Sequence, residues 1–109
     1  MTDDTKKNTS ANWRPETQLV HGGVLRSQFG ETSEALYLTQ SYVYDTAASA
    51  EARFKGEDPG FIYSRYGNPT VAMFEARMAA FEGAEAPRAT ATGMAAVTLA
   101  LLGQVKAGD

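Results

Sequence analysis

One segment limits the possible folds more than any other. From Gly93 to Val105 the chain carries Ala95, Ala96, Val97, Leu99, Leu101 and Leu102, so a helix here is apolar on most of its sides. Such a helix needs cover on most sides. A chain of 109 residues supplies little of it. The run is interrupted by Thr and Gly, and it falls short of the roughly 20 residues that span a bilayer. It is therefore expected inside a layered domain larger than this chain. Ala107-Gly108-Asp109 reads as a turn leading into a further element. A helix, a short strand, a second helix and a turn are the beginning of an α/β sheet domain, and no internal repeat is visible that would close it.

The elements before that helix follow from local chemistry. Met1 to Asn12 is polar, with no apolar residue larger than Ala after Met1, and is expected to be a loose arm rather than a secretory signal. Trp13 reads as a single anchoring aromatic. Thr17 to Leu25, interrupted by Gly22-Gly23, reads as an extended segment with a turn rather than a helix. Leu36, Leu38, Tyr42 and Tyr44 alternate, which suggests extended structure without a regular ladder. Asp45 or Thr46 can cap a helix over Ala47 to Phe54. Asn68-Pro69-Thr70 is the clearest start signal: Asn68 accepts from free helix amides, and Pro69 suits the first helical position. Val71, Phe74, Met78 and Phe81 then mark one face, read as core, and Gly83 stops the helix. Pro87 to Thr92 is expected as a short strand.

Composition excludes several classes of function. The net charge is −3, which argues against a general phosphate-backbone binder. There is no cysteine, hence no disulfide framework, thiolate metal site or thiol nucleophile. His21 has no second His or Cys and reads as structural. Glu57 and Asp58 read as solvated loop carboxylates, Tyr42 and Tyr44 as core or interface aromatics, Arg77 as helix-surface charge and Arg88 as loop charge.

Two segments carry chemistry. At Thr92-Gly93-Met94-Ala95 a tight turn opens a helix, so free amides and the positive end of the helix dipole face outward, and phosphate is the natural guest. On pattern alone the plain strand-to-helix turn is the commoner reading. In Tyr63-Ser64-Arg65-Tyr66-Gly67-Asn68-Pro69-Thr70, Arg65 offers planar, permanently charged donors. Tyr63, two residues away on extended chain, points to the same side.

Together these segments resemble the pyridoxal-phosphate enzymes of cysteine and methionine metabolism, the cystathionine γ-synthase-like group of fold type I. Tyr63-Ser64-Arg65, Asn68-Pro69-Thr70 and Gly93-Met94-Ala95-Ala96 carry the likeness, and Val20-His21-Gly22-Gly23 resembles the group's opening segment. Within the group, Ser41-Tyr42-Val43-Tyr44, Ala47 to Phe54 and Phe61 to Thr70 look most like the O-succinylhomoserine sulfhydrylases. The resemblance implies an α/β fold, a mostly parallel sheet with helices on both faces. Residues 1–60 would form the N-terminal arm and inter-subunit segment. Residues 61–109 would hold the loop, a helix and the start of the large cofactor domain. It implies pyridoxal 5′-phosphate as cofactor, with Gly93 and Met94 binding its phosphate in their own subunit. Tyr63 and Arg65 would bind the phosphate of the neighbouring subunit's cofactor. Tyr63 is also the candidate catalytic residue, acting in that neighbour. The implied reaction replaces the γ-substituent of an activated homoserine with sulfide to give homocysteine, in a cytoplasmic homodimer or homotetramer. Cystathionine γ-synthase and γ-lyase activities are the alternatives, and a non-catalytic phosphate-binding module is an alternative of another class. None of Lys6, Lys7, Lys55 and Lys106 matches the group's catalytic lysine. The chain therefore reads as an N-terminal part that is inactive alone.

Overall fold

The computed structural model describes residues 12–109, so the expected arm over Met1 to Asn12 lies almost wholly outside the described residues. Helix α1 spans Pro15–His21, α2 Ala47–Phe54, α3 Pro69–Glu82 and α4 Gly93–Leu102. Between α1 and α2, and between α2 and α3, the chain is largely irregular or extended.

Three of these helices start where side-chain chemistry says they should. Thr46 accepts from the Ser49 amide while Ser49 reciprocates to the Thr46 amide, a closed capping box at the head of α2. Asn68 accepts from the Thr70 amide at the head of α3, with Pro69 in the first turn. Thr92 accepts from the Ala95 amide at the head of α4. Gly83 ends α3 at φ +65°, a left-handed position that a glycine takes without strain.

Helix α1 corrects the expectation of an extended Thr17–Leu25 segment. Arg14 is held extended by the proline that follows it, Pro15 opens the helix and Glu16 lies in its first turn. Gly22 ends it by donating to the Gln18 carbonyl at 2.8 Å. Seven residues are too few for a helical period to show in the sequence, and too few to be stable alone. The stability comes from α3, on which α1 packs.

That seam is where the buried core lies. Met73 on α3 is 1% exposed, whereas Val71, Phe74 and Phe81 are all more than 40% exposed. The stripe read as core is thus largely uncovered in this chain, because α1 docks on the neighbouring row of α3. Gly23 adopts φ +69°, and a Cβ there would lie 2.9 Å from the Ala76 Cβ and 3.1 Å from the Met73 carbonyl oxygen. Conformation and close approach both demand glycine at the end of α1.

Arg77, read as surface charge, is instead a clamp on the same seam. Its guanidinium donates to both Glu34 carboxylate oxygens, at 2.9 and 3.1 Å, and its Nε donates to the Gly22 carbonyl at 3.1 Å. The Arg77 hydrogen bonds are the largest cause holding the Glu34 carboxyl down, from 4.5 to about 2. A carboxyl lowered on folding contributes stability above its unfolded pKa and loses it as pH falls towards the folded value. In a protein carrying this segment, Glu34→Gln should therefore lower the melting temperature above about pH 4.5, and the gap should narrow as pH falls towards 2. A gap independent of pH would contradict the clamp.

The strand expected over Pro87 to Thr92 is absent; residues 87–92 run without a ladder. A strand needs a neighbouring strand to receive its amides, and no such neighbour exists among the described residues. The bridge that does form pairs Ser41 with Tyr63 in antiparallel sense. Helix α4 matches its expected start, ends at Leu102 rather than Val105, and leaves Met94, Val97, Leu99, Leu101 and Leu102 more than half exposed. None of the described helices is long and apolar enough to cross a membrane.

Candidate functional site

The Tyr63–Arg65 loop is built on a turn rather than on the extended chain its spacing suggested. The Tyr63 carbonyl accepts from the amides of Tyr66 (2.9 Å) and Gly67 (3.1 Å), so the chain folds back around Arg65. The Ser64 amide donates to the Gln40 carbonyl at 2.9 Å, which lays the start of the turn against residues 40–41. Tyr63 and Arg65 do meet: the guanidinium carbon lies 5.2 Å from the Tyr63 ring centroid, a cation–π distance. Arg65 is exposed, Tyr63 is half-buried, and Arg65 has no ion pair among the described residues.

Beneath the turn sits Asn68, 7% exposed. Its Oδ1 caps α3, and its Nδ2 donates to the Tyr37 carbonyl at 2.9 Å, to the Ser64 Oγ at 3.0 Å and, more distantly, to the Thr39 carbonyl at 3.4 Å. The Ser64 hydroxyl donates in turn to the Thr39 carbonyl. The Thr70 hydroxyl accepts from the Tyr37 amide at 2.8 Å. The capping role is legible in the sequence; the donors are not, because their acceptors are backbone carbonyls about 30 residues away.

Gly93 and Met94 open α4. The Thr92 hydroxyl and carbonyl take the Ala95 and Ala96 amides. The Gly93 and Met94 amides keep no partner among the described residues, and a Cβ on Gly93 would meet nothing within 4 Å. The segment leading into them is tied to α3, since the Ala89 amide donates to Glu75 Oε1 at 2.7 Å and Arg88 stands 3.7 Å from its other oxygen. Two amides without a partner among the described residues, open space at Gly93 and the positive end of a helix suit a phosphate.

The groove at Arg65 does not take in the other half of the expected site. Arg65 opens onto a groove of about 940 Å³ that also takes in Asn68, Glu75 and Arg88 but neither Gly93 nor Met94. The structure thus brings Tyr63 to Arg65 and leaves the α4 start apart from that groove.

The other residues singled out by sequence are structural. His21 meets the Trp13 ring edge-on at 6.2 Å, in keeping with an anchoring aromatic. Asp58 accepts from both Nε and Nη2 of Arg53, which also lies 5.3 Å from the Tyr44 ring centroid. Tyr42 packs on Phe61, and the Tyr44 hydroxyl donates to the Ile62 carbonyl at 3.4 Å. Lys55 caps the end of α2 in an ion pair with Glu51, and Lys106 follows α4.

Residues 16–109 match the family model described as "Cys/Met metabolism PLP-dependent enzyme". The chain is 58% identical, over 83% of its length, to an O-succinylhomoserine sulfhydrylase of Mycobacterium tuberculosis, and 52% identical over 86% to one of Pseudomonas aeruginosa. It is 40% identical over 85% to an L-methionine gamma-lyase of Porphyromonas gingivalis. These matches cover 22%, 23% and 23% of those relatives, so the chain spans less than a quarter of their length. Among solved structures it is similar, at TM-score 0.82 and 34% identity over 90% of this chain and 24% of the other, to a Campylobacter jejuni chain described as an O-acetylhomoserine (thiol)-lyase. That chain carries N′-pyridoxyl-lysine-5′-monophosphate. The fold of the described residues is therefore that of the corresponding part of a fold type I enzyme.

Proposed function

Because this chain belongs to the family of pyridoxal-phosphate-dependent enzymes of cysteine and methionine metabolism, we propose that it supplies the phosphate-binding elements of an O-succinylhomoserine sulfhydrylase. The reaction replaces the succinyloxy group at Cγ with sulfide and yields homocysteine in methionine biosynthesis. Bound pyridoxal phosphate supplies the electron sink. The chain's own residues hold that cofactor. The amides of Gly93 and Met94 bind its phosphate in their own subunit. Tyr63 and Arg65 reach across a dimer interface to the phosphate of the neighbouring cofactor, with Arg65 offsetting charge that the amides leave. Tyr63, beside that phosphate, is the candidate for moving a proton at the neighbour's substrate. The active unit is a homodimer or a dimer of dimers.

The observation that carries this reading is the head of α4, where the Gly93 and Met94 amides have no partner among the described residues and a Cβ on Gly93 would meet nothing within 4 Å, complemented by an exposed guanidinium without an acid partner among the described residues. The choice of reaction is supported by identities of 58% and 52% to two sulfhydrylases against 40% to a γ-lyase.

The test is a substrate comparison in a full-length enzyme carrying this segment. With sulfide as donor, kcat/KM for O-succinylhomoserine should exceed that for O-acetylhomoserine by at least tenfold, a difference of about 1.4 kcal/mol in transition-state binding. Equal use of both esters, or faster elimination from methionine, would overturn the assignment. Turnover with cysteine in place of sulfide would point instead to cystathionine γ-synthesis.

A further inference from the structure

We infer that Asn68 is a positioning residue for Arg65, acting through the Ser64 hydroxyl. The inference rests on the proposed role of Arg65 at a cofactor phosphate and deepens it.

Arg65 sits on a turn whose own hydrogen bonds close only on the Tyr63 carbonyl. Such a turn, with an exposed residue at its apex, is free to pivot unless something outside it holds it. The Ser64 amide, bonded to the Gln40 carbonyl, and the Ser41–Tyr63 bridge anchor its entry by backbone; Asn68 adds the side-chain hold from below. Its amide nitrogen has two protons, and three acceptors converge on them: the Tyr37 carbonyl, the Ser64 hydroxyl and the Thr39 carbonyl. The Ser64 hydroxyl passes its own proton to the Thr39 carbonyl. One buried side chain thereby joins the 37–39 segment, the residue preceding Arg65 and the head of α3. Pro69 removes the remaining freedom by keeping Asn68 extended, at φ −138° and ψ 140°.

The arrangement separates two tasks on one residue. The Oδ1 caps α3, a task that serine performs as well. The Nδ2 fixes the turn, a task that serine at this position is too short to reach. Asn68→Ser therefore keeps the cap and releases the turn.

The consequence is specific to phosphate. A misplaced Arg65 costs affinity for pyridoxal 5′-phosphate and leaves pyridoxal, which has no phosphate, unaffected. A general loosening of the fold lowers both affinities alike.

The experiment compares both ligands in apoenzyme titrations of a full-length enzyme carrying this segment, with Arg65→Ala as reference. Asn68→Ser should weaken pyridoxal 5′-phosphate about 3- to 10-fold, the scale of one or two lost hydrogen bonds, with pyridoxal unchanged. The double variant with Arg65→Ala should lose no more than Arg65→Ala alone. Ser64→Ala removes the relay without touching the cap and should act in the same direction, so the test survives if Asn68→Ser does not fold. If Arg65→Ala weakens pyridoxal 5′-phosphate but the variant that folds shifts both ligands equally or neither, the positioning role is overturned while the role of Arg65 stands. If Arg65→Ala leaves pyridoxal 5′-phosphate affinity unchanged, the role of Arg65 fails and the inference fails with it.

Discussion

Arg65→Ala in a full-length enzyme carrying this segment should weaken pyridoxal 5′-phosphate binding by about 10- to 100-fold, read from absorbance titration of the apoenzyme. The magnitude follows from the chemistry of the contact. Hydrogen bonds to charged groups contribute about 1.5–3 kcal/mol each, and an arginine presents them in a planar pair suited to phosphate oxygens. The structure leaves that guanidinium exposed and free of any carboxylate among the described residues, held only against the Tyr63 ring at 5.2 Å. No salt bridge has to break before it can serve a ligand. Arg65→Lys should recover only part of the loss, because an ammonium keeps the charge but not the fork. Equal affinities for the three proteins would remove Arg65 from the phosphate site.

The second large effect lies away from the site. Met73→Ala should destabilise the same enzyme by about 2–5 kcal/mol in denaturant unfolding, the range for emptying a fully buried large side chain. Met73 is 1% exposed on α3, the helix on which α1 packs, and its carbonyl lies against Gly23. The seam between the two helices has few ways to collapse around a cavity. The Gly23 backbone already touches α3, and Arg77 is anchored by Gly22 and Glu34. A loss below about 1 kcal/mol would mean that the seam relaxes freely and does not hold α1 in place. Because α1 leads into the extended segment that Asn68 and Thr70 grip at Tyr37, this change should also raise amide exchange along residues 22–40.

The candidate site was legible where chemistry is local. Tyr63, Arg65, Gly93 and Met94 are candidates from motif and resemblance, and the structure adds the turn around Arg65 and, at the head of α4, two amides without a partner among the described residues. The relation between the two pairs was not legible from residue order. The groove at Arg65 takes in the chain up to Ala91 but neither Gly93 nor Met94. The strand expected before α4 does not form for a plain reason. A short piece of strand type too brief to show a pattern is at most able to pair, and pairing requires another segment to be present. The apolar stripe of α3 was read correctly as a helical face but wrongly as this chain's core, since periodicity says which residues share a side and not what covers them.

The sequence by itself determined the helix starts at Asn68 and at Thr92-Gly93 and the stop at Gly83, and narrowed the start of α2 to Asp45 or Thr46, of which the structure uses Thr46. Each depends on a hydrogen bond or a backbone angle within three or four residues. It also determined that α4 is apolar on most sides and needs more cover than these residues give it, and the chain spans less than a quarter of the length of the sulfhydrylases and γ-lyase it matches. Only the tertiary structure decided that Pro15–His21 is a helix, that Met73 rather than Phe74 is buried, that Arg77 clamps Glu34 from 43 residues away and that Asn68 reaches back 31 residues to Tyr37. The physical reason is common to all four. A short helix, a buried methionine and a paired charge are each stabilised by partners that the folded chain brings together, and no period or spacing along the chain encodes which partner that is.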